Sequence, residues 1–262
     1  MIGISLRSLL SHKLRLALTT IAVILGVSFV AGTFILTDTI NATFTSIFAT
    51  ANAGVAVTVH GHPIAGETGG VGGGQNHPIP TSLLATVRAV PGVQAAVGDI
   101  FREGATLIGS NGKPIGGNGP PTFGANWITN AGISPYRLRS GTPPQQPNDV
   151  VVDAGTAAKN GLVVGQSLPI VFLGGAEEHF TITGIAGYGT SDNLAGATIA
   201  LFTEATAERV LEGQNKYDNI LVSAESGVTD VVLRERIAAA LPSYAEAETG
   251  QQAAAAAEQS TE

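Results

Sequence analysis

Residues 15–38, RLALTTIAVILGVSFVAGTFILTD, contain the longest apolar run of this sequence. Residues 16–36 include no acidic or basic side chain. A helix of this length is roughly 32 Å long, which matches the hydrocarbon core of a bilayer, about 30 Å thick. The run therefore predicts a transmembrane helix over residues 16–36. A cleaved signal peptide is the alternative, because Val30, Ala31 and Gly32 offer small residues, but the apolar run continues past them.

Charged side chains are distributed unequally about this predicted helix. Arg7, Lys13 and Arg15 precede it, and Asp38, the first acidic residue, follows it. Positively charged flanks remain on the cytoplasmic side of a membrane. We therefore predict that the N-terminus is cytoplasmic, with residues 1–15 as a short amphipathic segment, and that the rest of the chain is extracellular or periplasmic. A simple extension of the membrane helix would also explain the pattern in residues 1–15.

The composition of the remaining chain is that of a globular domain. Hydrophobic residues make up 44% of the sequence and charged residues 13%, with 34 Gly. Three of the 13 Lys and Arg precede residue 16 and all 20 Asp and Glu follow it, so the remainder has a net charge of -10. This acidity argues against nucleic acid as a partner. The chain has no Cys, which excludes disulfides, zinc–thiolate sites and thiol catalysis.

A second helical pattern follows the apolar run. Its apolar positions repeat at helical spacing: Ile40, Phe44, Ile47, Phe48 and Ala51. Gly54 is suited to end this helix. We therefore predict that residues 37–54 continue the membrane helix as a rigid stalk, and packing of this helix on its own domain is the alternative.

The chain beyond the stalk contains the order strand, helix, strand twice. The first set is a strand over 55–60, a helix over 80–90, and a long strand or bent pair of strands over 93–108. The second set is strands over 219–224 and 244–248 around a helix over 228–241. Asp99, Arg102 and Glu103 are expected at an exposed bend. Two βαβ units, here residues 55–108 and 218–249, usually form one split αβ sandwich.

Residues 109–217, between the two βαβ units, have a different pattern. Short strands dominate it, including a predicted hairpin of residues 168–173 and 179–185, and short helices are predicted over 155–160 and 204–211. We therefore predict an α+β fold: an N-terminal transmembrane helix with a helical stalk, then two βαβ units with an inserted, mainly β subdomain. Residues 250–262 are rich in Ala and helix-prone.

No residue pattern predicts a catalytic, cofactor-binding or metal site. His60, His62 and His77 have no fourth ligand at a suitable spacing, so a solvated loop is expected there. Glu177-Glu178-His179 and Ser191-Asp192 lie in predicted turns without a third partner for a triad. No Walker motif is present, and no cofactor is expected.

Four segments occur in a recognisable order. They are SLLSHKLRLALTTIAVILGVSFVAGTFILTDTI (8–40), FATANAG (48–54), PNDVVVDAGTAAKNGLVVGQSLPI (147–170) and ITGIAGYGTSDNLAGATIALFTEATAERVL (182–211). Together they resemble actinobacterial ABC transporter permeases of the FtsX/MacB type. The resemblance implies a first membrane helix followed by an extracytoplasmic core domain.

The resemblance also implies a function and partners. It predicts a permease subunit that is not itself an enzyme, a separate cytoplasmic ABC ATPase, and a second permease chain that completes a dimer in the lipid bilayer. The outer domain would move to export or release a lipid, lipoprotein, peptide or drug. Family permeases have three further membrane helices, so we expect a fragment in which residues 250–262 approach a missing second span.

Two other functions fit the same residues. A single-span, membrane-anchored extracellular binding or interaction domain would need no ATPase. An exported hydrolase would require a role for Glu178 or His179 in activity.

Overall fold

The computed structural model describes residues 17–34, 54–64, 76–116 and 121–252. The chain divides into two compact units, Met1–Ser46 and Ile47–Glu262, and each is described by itself. The predicted segment 1–15 and the predicted stalk, apart from Gly54, lie outside the described residues. So do residues 253–262.

The first unit contains helix α1 (Ala17–Phe34), an apolar helix with a mean hydropathy of 2.0. Every residue of α1 is exposed, including its large apolar side chains, and Phe29 is 77% exposed. The hydroxyl of Thr33 donates a hydrogen bond to the Phe29 carbonyl (2.9 Å), which satisfies a polar group inside the helix. By length and composition α1 could cross a membrane.

The second unit contains fourteen strands and four helices within the described residues. The strands are β1 (Val57–Gly61), β2 (Ile79–Pro80), β3 (Val93–Asp99), β4 (Phe101–Glu103), β5 (Thr106–Leu107), β6 (Thr122–Asn126), β7 (Tyr136–Gly141), β8 (Asp149–Asp153), β9 (Ser167–Val171), β10 (Glu177–Tyr188), β11 (Thr198–Phe202), β12 (Lys216–Tyr217), β13 (Asn219–Ala224) and β14 (Ala245–Thr249). The helices are α2 (Leu83–Arg88), α3 (Ala154–Asn160), α4 (Glu204–Val210) and α5 (Asp230–Ala240).

The two βαβ units form one four-stranded antiparallel sheet, in the order β14-β1-β13-β3. One face of this sheet packs against α2 and α5. Alternate strand residues such as Val59 and Val222 lie in the same apolar cluster as Leu83 and Leu233 of the helices. The spacing of two along each strand thus fixes which residues face the helices and which face away.

Arginines from the two helices bind the outermost strands of this sheet. Arg88 of α2 donates from Nε to the Ala96 carbonyl on β3 (2.9 Å), and Arg234 of α5 donates from Nε to the Ala247 carbonyl on β14 (3.1 Å). Each βαβ unit therefore uses its own helix to occupy a carbonyl of its outer strand. An occupied carbonyl cannot pair with a strand of another chain.

The inserted residues form a second, eight-stranded sheet. Its order is β4-β6-β11-β8-β10-β9-β5, with β7 paired to β10. The end strands β4 and β5 are separated only by Gly104 and Ala105, so the sheet curls until its two ends meet. Phe172, Phe180 and Phe202 pack together inside it, with ring centroids 5.0 to 5.9 Å apart.

Most elements predicted from the sequence are present, including the hairpin of β9 and β10. Residues 93–108, predicted as a long strand or a bent pair of strands, form separate strands rather than one long strand, and these strands are divided between the two sheets: β3 pairs in the small sheet, and β4 and β5 pair in the large one. The large sheet therefore begins at Phe101 rather than at residue 109. A bend predicted to be exposed is in fact the passage from one sheet to the other.

Replacing Arg88 or Arg234 by Met should lower the free energy of unfolding by about 1 kcal/mol each, because a charged hydrogen bond to the sheet is lost while the aliphatic stem remains. The two sites lie on opposite edges, so the double variant should show the sum. Urea unfolding of the full chain in detergent measures this. Lys159→Met, at an exposed position on α3, should stay within about 0.5 kcal/mol of the parent protein. An equal loss in that control would contradict the assignment.

Candidate functional site: the junction between the two sheets

The chain passes from the small sheet to the large sheet at Ile100, which is completely buried. Asn126, at the end of β6, satisfies the main chain there with both of its amide atoms. Its Oδ1 accepts from the Ile100 N–H (2.7 Å), and its Nδ2 donates to the Gly98 carbonyl (3.0 Å). Its own N–H donates to the Ile100 carbonyl (3.2 Å). One buried side chain therefore replaces the ladder hydrogen bonds that are lost where the chain changes sheets.

Arg102 and Asp218 tie this passage to the place where the chain returns to the small sheet. Arg102 lies on β4, and Asp218 directly precedes β13. The guanidinium donates to both carboxylate oxygens, the shortest contact being 2.7 Å, and each side chain is 20% exposed. Asp218 also accepts from the Phe101 N–H (2.9 Å), and Arg102 donates from its second terminal nitrogen to the Leu211 carbonyl (2.9 Å). Each member of the ion pair therefore also forms a hydrogen bond with the main chain.

Asp99 is a second carboxyl group at the same junction. Its carbonyl accepts from the Asp218 N–H (2.9 Å), and its Oδ2 accepts from Asn219 Nδ2 (3.0 Å). Burial raises the pKa of Asp99 to about 6, and the negative charge of Asp218 adds to this, while the bond from Asn219 opposes it. Asp99 also raises the pKa of Tyr136 and Tyr188 on the large sheet, although burial is the main cause for both.

A row of polar residues extends from this junction across the whole small sheet. Asp99 is paired with Asn219, Asn219 with His60, and His60 with Glu246, so the row includes one residue from each strand. These residues face away from α2 and α5, because their neighbours along each strand pack on the helices. His60 is a buried residue of β1, so the predicted strand over 55–60 correctly includes it, and the expectation that it is solvated is wrong.

The chain enters and leaves the small sheet at the same end. Val57, the first residue of β1, is paired with Thr249, the last residue of β14. The segment that precedes β1 and the segment that follows β14 are therefore connected to two strands that are hydrogen-bonded to each other. The polar row begins on these two strands and ends at the junction.

The other groups considered in the sequence do not form a catalytic arrangement among the described residues. Glu177, Glu178 and His179 lie on strand β10, where turns were predicted. Arg209 donates to both oxygens of Glu178 (2.6 and 2.8 Å), and these bonds lower the pKa of that carboxyl group. Asp192 lies 3.6 Å from Arg139. In the described part of the chain, no three His, Asp or Glu residues could hold a metal ion.

Comparison with known proteins identifies the family and the fold. The sequence model of a protein family, the MacB-like periplasmic core domain, matches residues 16–240. The structure is similar to the periplasmic region of MacB from Actinobacillus actinomycetemcomitans, with 13% identity and a TM-score of 0.55, over 79% of this chain and 95% of that one. It is also similar to the extracellular domain of the noncanonic ABC-type transporter YknZ from Gram-positive bacteria, with 12% identity and a TM-score of 0.50, over 74% of this chain and 99% of that one. No match was found among curated proteins. The predicted family resemblance and fold class are confirmed.

A double-mutant cycle on Arg102→Met and Asp218→Asn should give a coupling energy of about 1 to 2 kcal/mol. Each single change leaves the partner partly buried without its counter-charge, which costs more than the loss of an exposed pair. Arg139 and Asp192 provide the matched control, because that pair is longer and more exposed, and its coupling should be below about 0.5 kcal/mol. Similar coupling energies at both pairs would contradict the prediction that the junction pair stabilises the fold more than an exposed pair does.

Asp99→Asn should remove a pH dependence of stability. The pKa of Asp99 is about 6 in the folded protein and 3.8 in its ordinary state, so the folded protein retains a proton that the unfolded chain has lost. Stability of the parent protein therefore falls as the pH rises from about 4 to about 6, by roughly 1 to 3 kcal/mol. The asparagine can still accept from Asn219, so the variant should lack this fall and be more stable at neutral pH. Urea unfolding at several pH values measures it, and the same fall in the variant would contradict the prediction.

Proposed function

This chain belongs to the family of MacB-like periplasmic core domains, and we propose that it acts as the permease part of an ABC transporter of the FtsX/MacB type. In this proposal a separate cytoplasmic subunit hydrolyses ATP. The chain converts the resulting movement into a movement of its extracytoplasmic domain, which exports or releases a lipid, lipoprotein, peptide or drug. A second permease chain completes the dimer.

The observation that carries this proposal is the pairing of Val57 with Thr249. A domain that is moved from the membrane must receive the movement where the chain enters and leaves it. Here both places belong to neighbouring strands, so a displacement of either segment acts on the same part of the sheet. Strand β13 lies beside β1, and Asp218 directly before β13 is bonded to Arg102 of the large sheet. The movement thus has a continuous, hydrogen-bonded route to the eight-stranded sheet.

The proposal includes a membrane arrangement. Helix α1 crosses the plasma membrane with the basic segment 1–15 in the cytoplasm, and the acidic domain lies outside. Residues 37–54 connect the two as a helical stalk, and the stalk delivers the movement to β1. The small sheet, with its helices, is the receiving part, and the large sheet is the part that acts on the substrate.

Cysteines introduced one at a time at positions 38–53 test this mechanism, because the chain has no Cys of its own. In membranes that also contain a candidate cytoplasmic ABC ATPase, disulfide cross-linking between two permease chains should differ between ATP and ADP at several positions. An ATPase that binds ATP without hydrolysing it should hold the ATP pattern.

Equal cross-linking with both nucleotides at every position would contradict the proposal. If the chain also fails to copurify with that ATPase, a membrane-anchored interaction domain without an ATPase becomes the better explanation.

A further inference from the structure

His60 of β1 and His62, directly after β1, face two carboxyl groups of the outermost strand, β14. His62 Nδ1 lies 2.6 Å from Glu246 Oε1, and His60 Nε2 lies 3.4 Å from Glu248 Oε2. Both glutamates lie on the face of β14 that points away from α5, because Ala245 and Ala247, which alternate with them along the strand, are buried in the helix-side core. The outermost strand is thus attached to its neighbour through two pairs whose charge depends on pH.

The hydrogen bond of His60 determines what protonation does to it. Nδ1 lies 2.8 Å from the Gly61 carbonyl, and a carbonyl can only accept, so Nδ1 carries a hydrogen. In a neutral ring Nε2 is then a bare acceptor that faces the acceptor Glu248. Nε2 is the one buried side-chain nitrogen or oxygen without a hydrogen-bond partner among the described residues. A proton on Nε2 would turn this repulsive contact into a charged pair.

His62 meets the same condition at both of its nitrogens. Nδ1 contacts the Glu246 carboxylate and Nε2 contacts the Ser243 carbonyl, each at 2.6 Å. Both partners can only accept, so both contacts are satisfied only when the ring carries two hydrogens and a positive charge. The bond to Ser243, followed by the bond to Glu246, raises the pKa of His62.

We propose that His60 and His62 form a proton-operated latch that fastens strand β14 to strand β1. With both rings doubly protonated, His60 and His62 bind Glu248 and Glu246. With both rings neutral, His60 faces a carboxylate without a hydrogen between them, and the two glutamates remain as uncompensated negative charges on one face of β14. The outermost strand is then held by its backbone pairing, by Arg234 and by the packing of Ala245 and Ala247 in the helix-side core.

The surroundings of the latch contain few other groups that titrate. On β14 they are Glu246 and Glu248 themselves. On β13 the neighbour is Asn219, which does not titrate, and Asp99 of β3 lies beyond it in the polar row. The exposed His77 lies at the end of β1, where its N–H donates to the His62 carbonyl (3.0 Å). Residues 127–135 follow β6 and lie close to Gly54, just before β1, through Gly132. They include no Asp, Glu, His, Lys or Arg.

The latch joins the two strands through which the chain enters and leaves the small sheet. Its existence does not depend on the proposed function, but its role in transport rests on that proposal. If movement is received by β1 and β14 together, acid outside the cell makes these strands one stiff unit. In neutral surroundings β14 can separate from β1, and the segment that follows Thr249 is coupled less tightly to the junction.

Hydrogen exchange of the full chain in detergent tests the latch. The measured quantity is the protection of the β14 amides relative to those of β13, after correction for the intrinsic effect of pH. Normalising to β13 removes changes in global stability, and repeating the measurement in the Asp99→Asn variant removes the effect of Asp99 on β13. In the parent protein this relative protection should be about tenfold higher at about pH 5.5 than at about pH 8, the range in which histidine titrates.

Substitutions separate the latch from a merely structural role. The double variant His60→Gln/His62→Gln should show the same relative protection at both pH values, and His179→Gln, at an exposed histidine of β10, should behave like the parent. Glu248→Gln should raise protection at about pH 8, because its amide can donate to the neutral His60. The Glu248→Gln variant therefore tests the latch even if the double variant does not fold.

An equal relative protection of β14 at both pH values in the parent, or an unchanged pH effect in a folded double variant, would overturn the latch. These measurements need no ATPase. Failure of the latch is therefore distinguishable from failure of the transporter proposal, which the stalk cross-links test.

Discussion

The main chain of this domain passes between two sheets in both directions, and each passage removes backbone groups from the strand ladders. A buried backbone group left without a partner costs about 1 to 3 kcal/mol. The structure meets this requirement at the outgoing passage with two side chains, Asn126 for Gly98 and Ile100 and Asp218 for Phe101. At the return, the Asp218 N–H donates to the Asp99 carbonyl. Because Arg102 binds Asp218, the two passages are also bonded to each other. The arrangement of the sheets depends on this small group.

The same group limits how the two sheets can move. A hinge between them would have to break the bonds of Asn126 and the paired bonds of Arg102 and Asp218 together. Polar groups would then be left unpaired in a poorly hydrated place. It is therefore easier for the two sheets to move as one body than to bend at the junction. Flexibility is better sought at the outermost strand β14. Its detachment would cost the hydrogen bonds to β1, the contact of Arg234 with Ala247 and the burial of two alanines.

Local patterns predicted the elements, because a helix or hairpin depends on neighbouring residues. The apolar run of α1, the Gly174-Gly175 turn between β9 and β10, and the repeated strand, helix, strand order are all of this kind. The junction could not be found in this way. Asp99 and Arg102 looked like an exposed bend because charged residues usually are exposed, and Asp218, the partner of Arg102, is 116 positions away. The burial of His60 was missed for the same reason, since Glu248 reaches it only through the order of the strands.

The polar row across the small sheet is costly for a structure selected for stability alone. Burial raises the pKa of Asp99, which means that the folded protein disfavours its charge, and His60 carries a buried nitrogen without a partner. Apolar residues of similar size at such positions often give equal or greater stability. What they would not give is a unique pairing of strands, because Asn219 and Asp99 recognise each other only in one register. Apolar residues would also give no response to protons. The row therefore exchanges stability for a defined junction at one end and a titratable attachment at the other.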